Sequence, residues 1–133
     1  MDLEDWYHTI YFDRKLSNKD YSMIDGAYNF LEILKRKKLK TTFFVVGDIA
    51  LKFKSLIKEI SESGHEISCH SFNHFLPLSQ TNAEFKEDLL KNKNILENLI
   101  QKLVVGYRAP AFNLDDPKFK ILLENNFLYD SSK

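Results

Sequence analysis

The chain has 133 residues, 44% of them hydrophobic and 14% aromatic, which is enough for one domain with a sizeable core. Nineteen basic residues balance nineteen acidic ones, so the formal net charge is zero. Without a large positive field, the sequence suggests neither nucleic acid nor an anionic membrane as a partner. The single cysteine, Cys69, excludes an internal disulfide framework and is interpreted as a buried structural thiol.

The sequence shows no targeting signal that we can identify. No apolar run reaches the length of a transmembrane helix, and residues 1–20 are too charged and aromatic for a signal peptide. The sequence as it stands therefore suggests a cytoplasmic protein, whereas an upstream targeting segment would make it an exported one. The basic run KRKKLK is interpreted as a solvated helix C-terminus whose charge complements the helix dipole.

The first half of the chain alternates between helical and strand patterns. Four apolar residues within 21–38 share one helical face: Ile24, Ala27, Leu31 and Leu34. The run TTFFVV at 41–46 is typical of a buried parallel strand. A single helix is predicted over 47–64, with Asp48 as its N-cap and Gly64 at its end.

The second half continues this alternation. HEISCH at 65–70 predicts a strand, and Thr81 and Glu84 then have the spacing of a capping box. The apolar residues of the helix that they open are Phe85, Leu89, Leu96, Leu99 and Leu103. A strand in VVGYR, a helix in DDPKFKILLENN with Pro117 in its first turn, and a strand in FLYDSS follow.

Counted from DLEDWY, about five strands and four helices alternate strictly. This order predicts a single α/β domain over 1–133, with a parallel sheet and helical crossovers. In such folds the chemistry gathers at the C-terminal ends of the strands. The segments DLED, HSFNH, YRAP and YDSS fall at those ends, so we expect them to meet at one rim of the sheet.

The segment HSFNH contains the first candidates for metal binding. If it begins a helical turn, His70 and His74 share a face at i and i+4 and could bind one ion together. The alternative is a strand-end histidine followed by an unrelated surface one. Two neutral imidazoles suit zinc, cobalt, nickel or iron, and a carboxylate would complete a catalytic set with a position open for water.

The carboxylates are concentrated near the start of the chain, where Asp2, Glu4 and Asp5 fall within four residues. Like charges this close disfavour joint ionisation unless a cation or an arginine is near; the alternative is a solvated acidic loop. Arg108 could hold one carboxylate in bidentate geometry, or form a purely structural salt bridge. The turn set by the proline that follows could aim the Ala111 amide toward a reacting oxygen.

The ordered motifs DLEDW, TTFFVVG, GHEISCHSFNH, GYRAPAF and YDSS resemble those of the polysaccharide deacetylase family. These carbohydrate esterases include chitin and peptidoglycan deacetylases. The first motif departs from the commoner TFDDG form and looks like a branch with an aspartate, one residue, two acids and an aromatic. The resemblance implies a distorted, incomplete (β/α) barrel. It also implies removal of acetyl groups from N- or O-acetylated sugars with a divalent metal ion, zinc before cobalt, nickel or iron.

The resemblance also implies roles for individual residues. Asp2 matches the catalytic base, Arg108 the arginine that tethers it, and Ala111 the backbone amide of the oxyanion pocket. His70 and His74 match the two metal-binding histidines.

The acidic metal ligand is left open between Glu4 and Asp5. Strand alternation places Glu4 on the side of Asp2, whereas Asp5 preserves the family's residue type. Three aromatic residues could form a platform for a sugar ring, although core packing is the favoured interpretation: Trp6, Tyr7 and Phe75.

The family's later motifs, including a histidine that acts as general acid, have no match, and neither His8 nor His65 fits that role. Five parallel strands cannot close a barrel of seven or eight, so two edges are expected to stay open. C-terminal truncation is favoured over two alternatives: a homo-oligomer that covers the edges, or a non-catalytic remnant that binds metal or sugar. A metal-independent hydrolase of small amides is a further alternative.

Overall fold

The computed structural model describes residues 1–8 and 22–132, and five short parallel strands form one sheet within them. The strands are β1 (Asp2–Leu3), β2 (Thr42–Val45), β3 (Glu66–Cys69), β4 (Gly106–Tyr107) and β5 (Tyr129–Asp130). The helices are α1 (Asp25–Lys37), α2 (Gly47–Lys52), α3 (Lys54–Glu62), α4 (Asn82–Ile100) and α5 (Asp116–Glu124). The predicted α/β fold with a parallel sheet is confirmed.

The spatial order of the strands, β1-β2-β3-β4-β5, repeats their order in the chain. A sheet of this kind has no point at which the winding reverses, so it is a segment of a barrel rather than a doubly wound sheet. The core lies between the sheet and its helices. Its strand residues are Leu3, Phe43, Val45, Ile67, Cys69 and Tyr107. They pack with the four predicted apolar residues, all of them buried, of which Ile24 is the N-cap of α1 and the other three lie within that helix.

The predicted single helix over 47–64 is wrong, because α2 and α3 are separate helices that meet at Phe53. The backbone of Phe53 is not helical (φ −117°, ψ 51°), and its side chain is partly buried against the core. Val46 is the N-cap of α2, so the predicted capping role of Asp48 is also wrong. Gly64, with φ 80°, lies in left-handed backbone directly after α3, which confirms the predicted end.

Helix α4 begins with the predicted capping box. The Thr81 amide donates to Glu84 Oε2 at 2.7 Å, and the Glu84 amide donates to Thr81 Oγ1 at 3.3 Å. The helix ends at Ile100, and Leu103, which the apolar pattern assigned to it, lies beyond it and is 82% exposed. That assignment is wrong because Gln101 takes left-handed backbone (φ 54°) and stops the helix first.

The strand ends that carry the polar motifs lie side by side. The His70 amide donates to the Val45 carbonyl at 3.1 Å, and the Arg108 amide donates to the Cys69 carbonyl at 3.0 Å. Backbone pairing therefore continues one residue past the C-terminal ends of β3 and β4. Cys69 is buried, as expected of a structural thiol, and burial raises the pKa of that thiol. In the part of the chain that the structure describes, no helix is long and apolar enough to cross a membrane.

Candidate active site

The two histidines after β3 are buried together, but not by the helical turn that the spacing suggested. Residues 70–74 form a loop in which Ser71 (φ 64°) and His74 (φ 58°) both take left-handed backbone. This loop still brings the rings of His70 and His74 to 5.0 Å between centroids. The helical turn that would have put the two histidines on one face is not formed, but their side chains still lie together.

Glu4 is the carboxylate that joins the histidines. Its Oε2 lies 2.8 Å from His74 Nε2. One ligand atom from each of Glu4, His70 and His74 lies within 4.8 Å of the other two. The chain turns directly after β1, and this places Glu4 at the rim where the loop after β3 ends.

Asp5 faces elsewhere and has a different set of partners. Its Oδ1 accepts hydrogen bonds from the amides of Trp6 at 2.9 Å and Met23 at 3.0 Å. Its Oδ2 accepts a hydrogen bond from the Ser22 hydroxyl. Asp5 is buried and ties the segment after β1 to the start of α1, so the structure groups Glu4, and not Asp5, with the two histidines.

The protonation of His70 suits a metal ligand. Its Nδ1 lies 2.7 Å from the carbonyl oxygen of Arg108. Because a carbonyl only accepts, Nδ1 must carry the hydrogen, and the Nε2 lone pair of the neutral ring is left for a ligand bond. Burial lowers the pKa of His70, which favours this neutral form.

Glu4 is held in its charged form. Burial alone would raise the pKa of Glu4, but the hydrogen bond and electrostatic interaction with His74 lower it on balance. An ionised carboxylate and two imidazoles are a donor set that fits zinc and related divalent ions.

Asp2 and Arg108 form an ion pair beside this group. Arg108 Nη1 donates to Asp2 Oδ1 at 2.6 Å, and Asp2 Oδ2 lies 4.0 Å from His70 Nε2. The arginine has further contacts, since Nη2 donates to Ser131 Oγ at 2.7 Å and Nε donates to the Ser131 carbonyl at 3.3 Å. The guanidinium also lies over the ring of Phe44, 4.0 Å from its centroid. Its orientation is therefore fixed from several sides.

Ala111 follows the proline of the GYRAPAF motif and has unusual backbone. Its φ of 53° and ψ of 26° are left-handed, and the next residue, Phe112, has a φ of 55°. Left-handed backbone costs a residue with a side chain roughly 1–2 kcal/mol. Such strain tends to occur at functional loops, where the surrounding structure enforces it.

The three predicted aromatic contacts with substrate differ in exposure. Tyr7 is buried, its hydroxyl accepts a hydrogen bond from Lys52 Nζ at 2.8 Å, and its ring packs edge-to-face on Trp6. Tyr7 therefore packs in the protein interior, as the favoured interpretation has it, and its ring is not available as a platform for a sugar. Trp6 is half-buried, and Phe75 is 46% exposed.

The structure adds residues that the sequence did not single out. Ser131 lies in the YDSS motif, yet only its contact with Arg108 shows what it does. Asn92 lies between the buried residues Leu89 and Leu96 of α4 and is itself fully buried. A polar residue on the apolar face of a helix could have been recognised from the sequence, because a buried amide needs hydrogen-bond partners.

Comparisons with known proteins show which proteins this chain resembles. The family described as polysaccharide deacetylase matches residues 12–129. A peptidoglycan deacetylase of Helicobacter pylori is 30% identical over 107 residues, which are 80% of this chain and 36% of that protein.

Solved structures match over a similar part of the chain. The crystal structure of the peptidoglycan N-acetylglucosamine deacetylase Bc1960 is 27% identical and superposes with a TM-score of 0.75, over 77% of this chain and 48% of that one. The pseudoenzyme BA3943 of Bacillus anthracis, 24% identical, shares the fold with a TM-score of 0.76, over 80% of this chain and 38% of that one.

The chain thus spans between about a third and a half of the lengths of these relatives. The family match includes both histidines of the loop after β3 and Arg108. It begins after the three acidic residues near the start of the chain, Asp2, Glu4 and Asp5. Since this match covers well over half of the sequence, the chain belongs to the polysaccharide deacetylase family.

Proposed function

We propose that this chain carries the metal-binding and proton-accepting part of a hydrolase that removes acetyl groups from N- or O-acetylated sugars. The observation that carries the proposal is the convergence of Glu4, His70 and His74 beside the Asp2–Arg108 pair. The peptidoglycan deacetylases among the relatives support an acetylated carbohydrate as the substrate.

Glu4, His70 and His74 would hold the divalent ion, with zinc the best match to the donors and cobalt, nickel or iron as alternatives. When bound, such an ion lowers the pKa of water and polarises the carbonyl of an acetyl group. The hydrogen bond from His70 Nδ1 to the Arg108 carbonyl keeps Nε2 available for this purpose.

The remaining steps belong to side chains and backbone of the chain itself. The contact with Arg108 orients the carboxylate of Asp2, so that Asp2 can take the proton of the attacking water. The Ala111 amide would donate a hydrogen bond to the carbonyl oxygen as negative charge develops there, and loss of one such donor typically costs on the order of 100-fold in rate or more. The products are acetate and the sugar amine or alcohol.

A second candidate is a domain that binds metal without turnover. The four histidines of the chain include only two outside the metal group, His8 and His65. His8 Nδ1 accepts a hydrogen bond from the Asp5 amide at 3.0 Å, and His65 Nδ1 accepts one from the Thr41 amide at 3.3 Å. Both Nδ1 atoms are therefore engaged in hydrogen bonds with the backbone, a structural role that fits the second candidate.

The two candidates separate in one set of measurements. Metal content should be stoichiometric in the purified protein and should fall in a His70→Ala variant. Acetate release from acetylated chito-oligosaccharides, and from peptidoglycan sugars, should depend on added zinc or cobalt. Stoichiometric metal without any acetate release would favour the non-catalytic candidate. Acetate release that persists without metal, and in the variant, would favour a metal-independent amide hydrolase.

A further inference from the structure

Residues 70–74, with His70 and His74 at their ends, are called the histidine loop. Helix α4 contacts this loop through two polar side chains that belong to none of the sequence motifs. Asp88 and Asn92 are four residues apart, so they lie one above the other on the same face of the helix. Both face residues 71–73, the segment between His70 and His74.

Asn92 joins the loop to the neighbouring strand. Its Nδ2 donates to the Ser71 carbonyl at 2.8 Å and to the Val45 carbonyl, at the end of β2, at 3.0 Å. The residue is fully buried, so neither carbonyl could turn to water if the amide were removed. Its side chain also lies next to Gly47, where the missing Cβ leaves room for the loop.

Asp88 holds the next residues of the loop. Its Oδ2 accepts a hydrogen bond from the Phe72 amide at 2.9 Å. The carboxylate also accepts hydrogen bonds from the Ser71 side chain and the Asn73 amide. One carboxylate thus binds three consecutive residues, and it does so from an element that is distant in the sequence.

The conformation of the loop requires such contacts. Ser71 and His74 both have positive φ, and each carries a side chain, so the backbone of the loop is strained at both positions. The amides of Gly47 and Asp48 donate to the carbonyls of Ser71 and Phe72 at 3.1 and 3.0 Å and complete the attachment. Strained backbone persists only where the surroundings over-determine it.

We propose that Asp88 and Asn92 are positioning residues that fix the histidine loop before an ion arrives, so that His70 and His74 already face one point. The inference deepens the proposed function, and it rests on that function where metal affinity is concerned. Neither residue is expected to contact the ion or the substrate.

The test combines two measurements on the full chain, in wild type and in the variants Asp88→Ala and Asn92→Ala. Hydrogen exchange of the metal-free protein reports the loop through the amides of Gly47, Asp48 and Phe72. Titration with Co²⁺, followed by its visible absorption, reports the affinity of the site. We expect faster exchange at these amides in both variants, unchanged exchange within β2 and β3, and Co²⁺ binding weakened about 10- to 100-fold.

Two exposed residues of the same helix provide matched controls, Glu87→Ala and Asn94→Ala, which should leave both measurements at wild-type values. Asp88→Asn keeps one oxygen that can accept from the Phe72 amide, so it should restore part of the affinity lost in Asp88→Ala. If Asn92→Ala does not fold, the comparison of Asp88→Ala with Asp88→Asn still tests the proposal.

The inference is overturned if the loop amides exchange at wild-type rates in both alanine variants. It is equally overturned if exchange accelerates while Co²⁺ affinity stays within twofold of wild type. Absence of any Co²⁺ binding by the wild-type chain would count against the proposed metal centre instead. In that case exchange in the metal-free protein still decides whether α4 fixes the loop.

Discussion

Arg108 Nη1 donates a hydrogen bond to Asp2 Oδ1 at 2.6 Å, although the two residues are 106 positions apart. The contact joins the first strand to the end of the fourth and places a carboxylate 4.0 Å from His70 Nε2. Since the Arg108 carbonyl also accepts from His70 Nδ1, one residue orients both the proposed base and a proposed metal ligand.

Replacement of the arginine should separate these two roles. Arg108→Lys keeps a positive charge but loses the planar fork that contacts Asp2 and Ser131 together. We expect kcat/KM for acetate release to fall on the order of 100-fold, because the base is no longer held in place. Metal affinity should change little, since the backbone carbonyl that binds His70 remains. Wild-type activity in this variant would refute the tethering role.

Substitutions of Glu4 and Asp5 test directly which of the two is the acidic metal ligand. Glu4→Gln should weaken zinc binding by more than the roughly 10- to 100-fold typical of an outer partner, because it removes a direct ligand. Asp5→Asn should leave zinc affinity near wild type and instead lower the free energy of unfolding by about 1–3 kcal/mol, since the hydrogen bonds to Trp6, Met23 and Ser22 are disturbed. Calorimetric zinc titration and urea unfolding of both variants would measure this, and the reverse pattern would make Asp5 the ligand.

Replacement of Ser131 should lower kcat/KM less than replacement of Arg108 does, because Ser131 acts only by orienting that arginine. Ser131→Ala removes the hydroxyl that accepts from Arg108 Nη2 at 2.7 Å but keeps the backbone carbonyl that accepts from Nε. One hydrogen bond is worth about 1 kcal/mol, so kcat/KM should fall roughly fivefold. In an Arg108→Lys background the same substitution should have almost no further effect. Full additivity of the two losses would contradict this coupling.

Two glycines should respond in opposite ways to alanine. At Gly106 in β4, a Cβ would overlap the Tyr129 ring and Ser68 Oγ, so Gly106→Ala should lower the free energy of unfolding by about 1–3 kcal/mol. At Gly26 in α1, a Cβ meets no atom within 4 Å, so Gly26→Ala should raise it by about 0.5–1 kcal/mol. Urea denaturation of both variants checks the pair. Equal effects would show that packing at β4 is looser than the contacts indicate.

Protonation of His65 should lower the free energy of unfolding in mild acid. Burial lowers the pKa of His65, and the charge of Lys40 lowers it further. Just below about pH 6.5, the usual pKa of histidine, the folded state therefore binds fewer protons than the unfolded state. The contribution of His65 to the free energy of unfolding is complete above that pH and is lost as the pH falls. Protonation would also remove the hydrogen bond that Nδ1 accepts from the Thr41 amide.

His65→Asn keeps an acceptor near Thr41 and removes the titrating group. Its free energy of unfolding should fall less than that of wild type between pH 7.5 and 5.5, as measured by urea denaturation at each pH. Identical pH profiles for the two proteins would exclude His65 as the source of the acid sensitivity.

Local patterns predicted most of the secondary structure. The apolar spacing of α1, the buried run of β2 and the capping box of α4 all depend on neighbours within a few residues, and the structure confirms them. The errors occur where distant packing prevails over local pattern. Phe53 breaks a periodic helix and packs partly buried against the core, and α4 ends before Leu103, which is exposed.

The sequence by itself determined the order of strands and helices and the rim where the polar motifs meet, because alternation and crossover rules follow from the chain alone. Only the tertiary structure decided that Glu4 faces the histidines, that Asp5 holds the start of α1, and that α4 supports the histidine loop. Those outcomes depend on atoms far apart in the chain coming within hydrogen-bonding distance. No local spacing encodes such contacts.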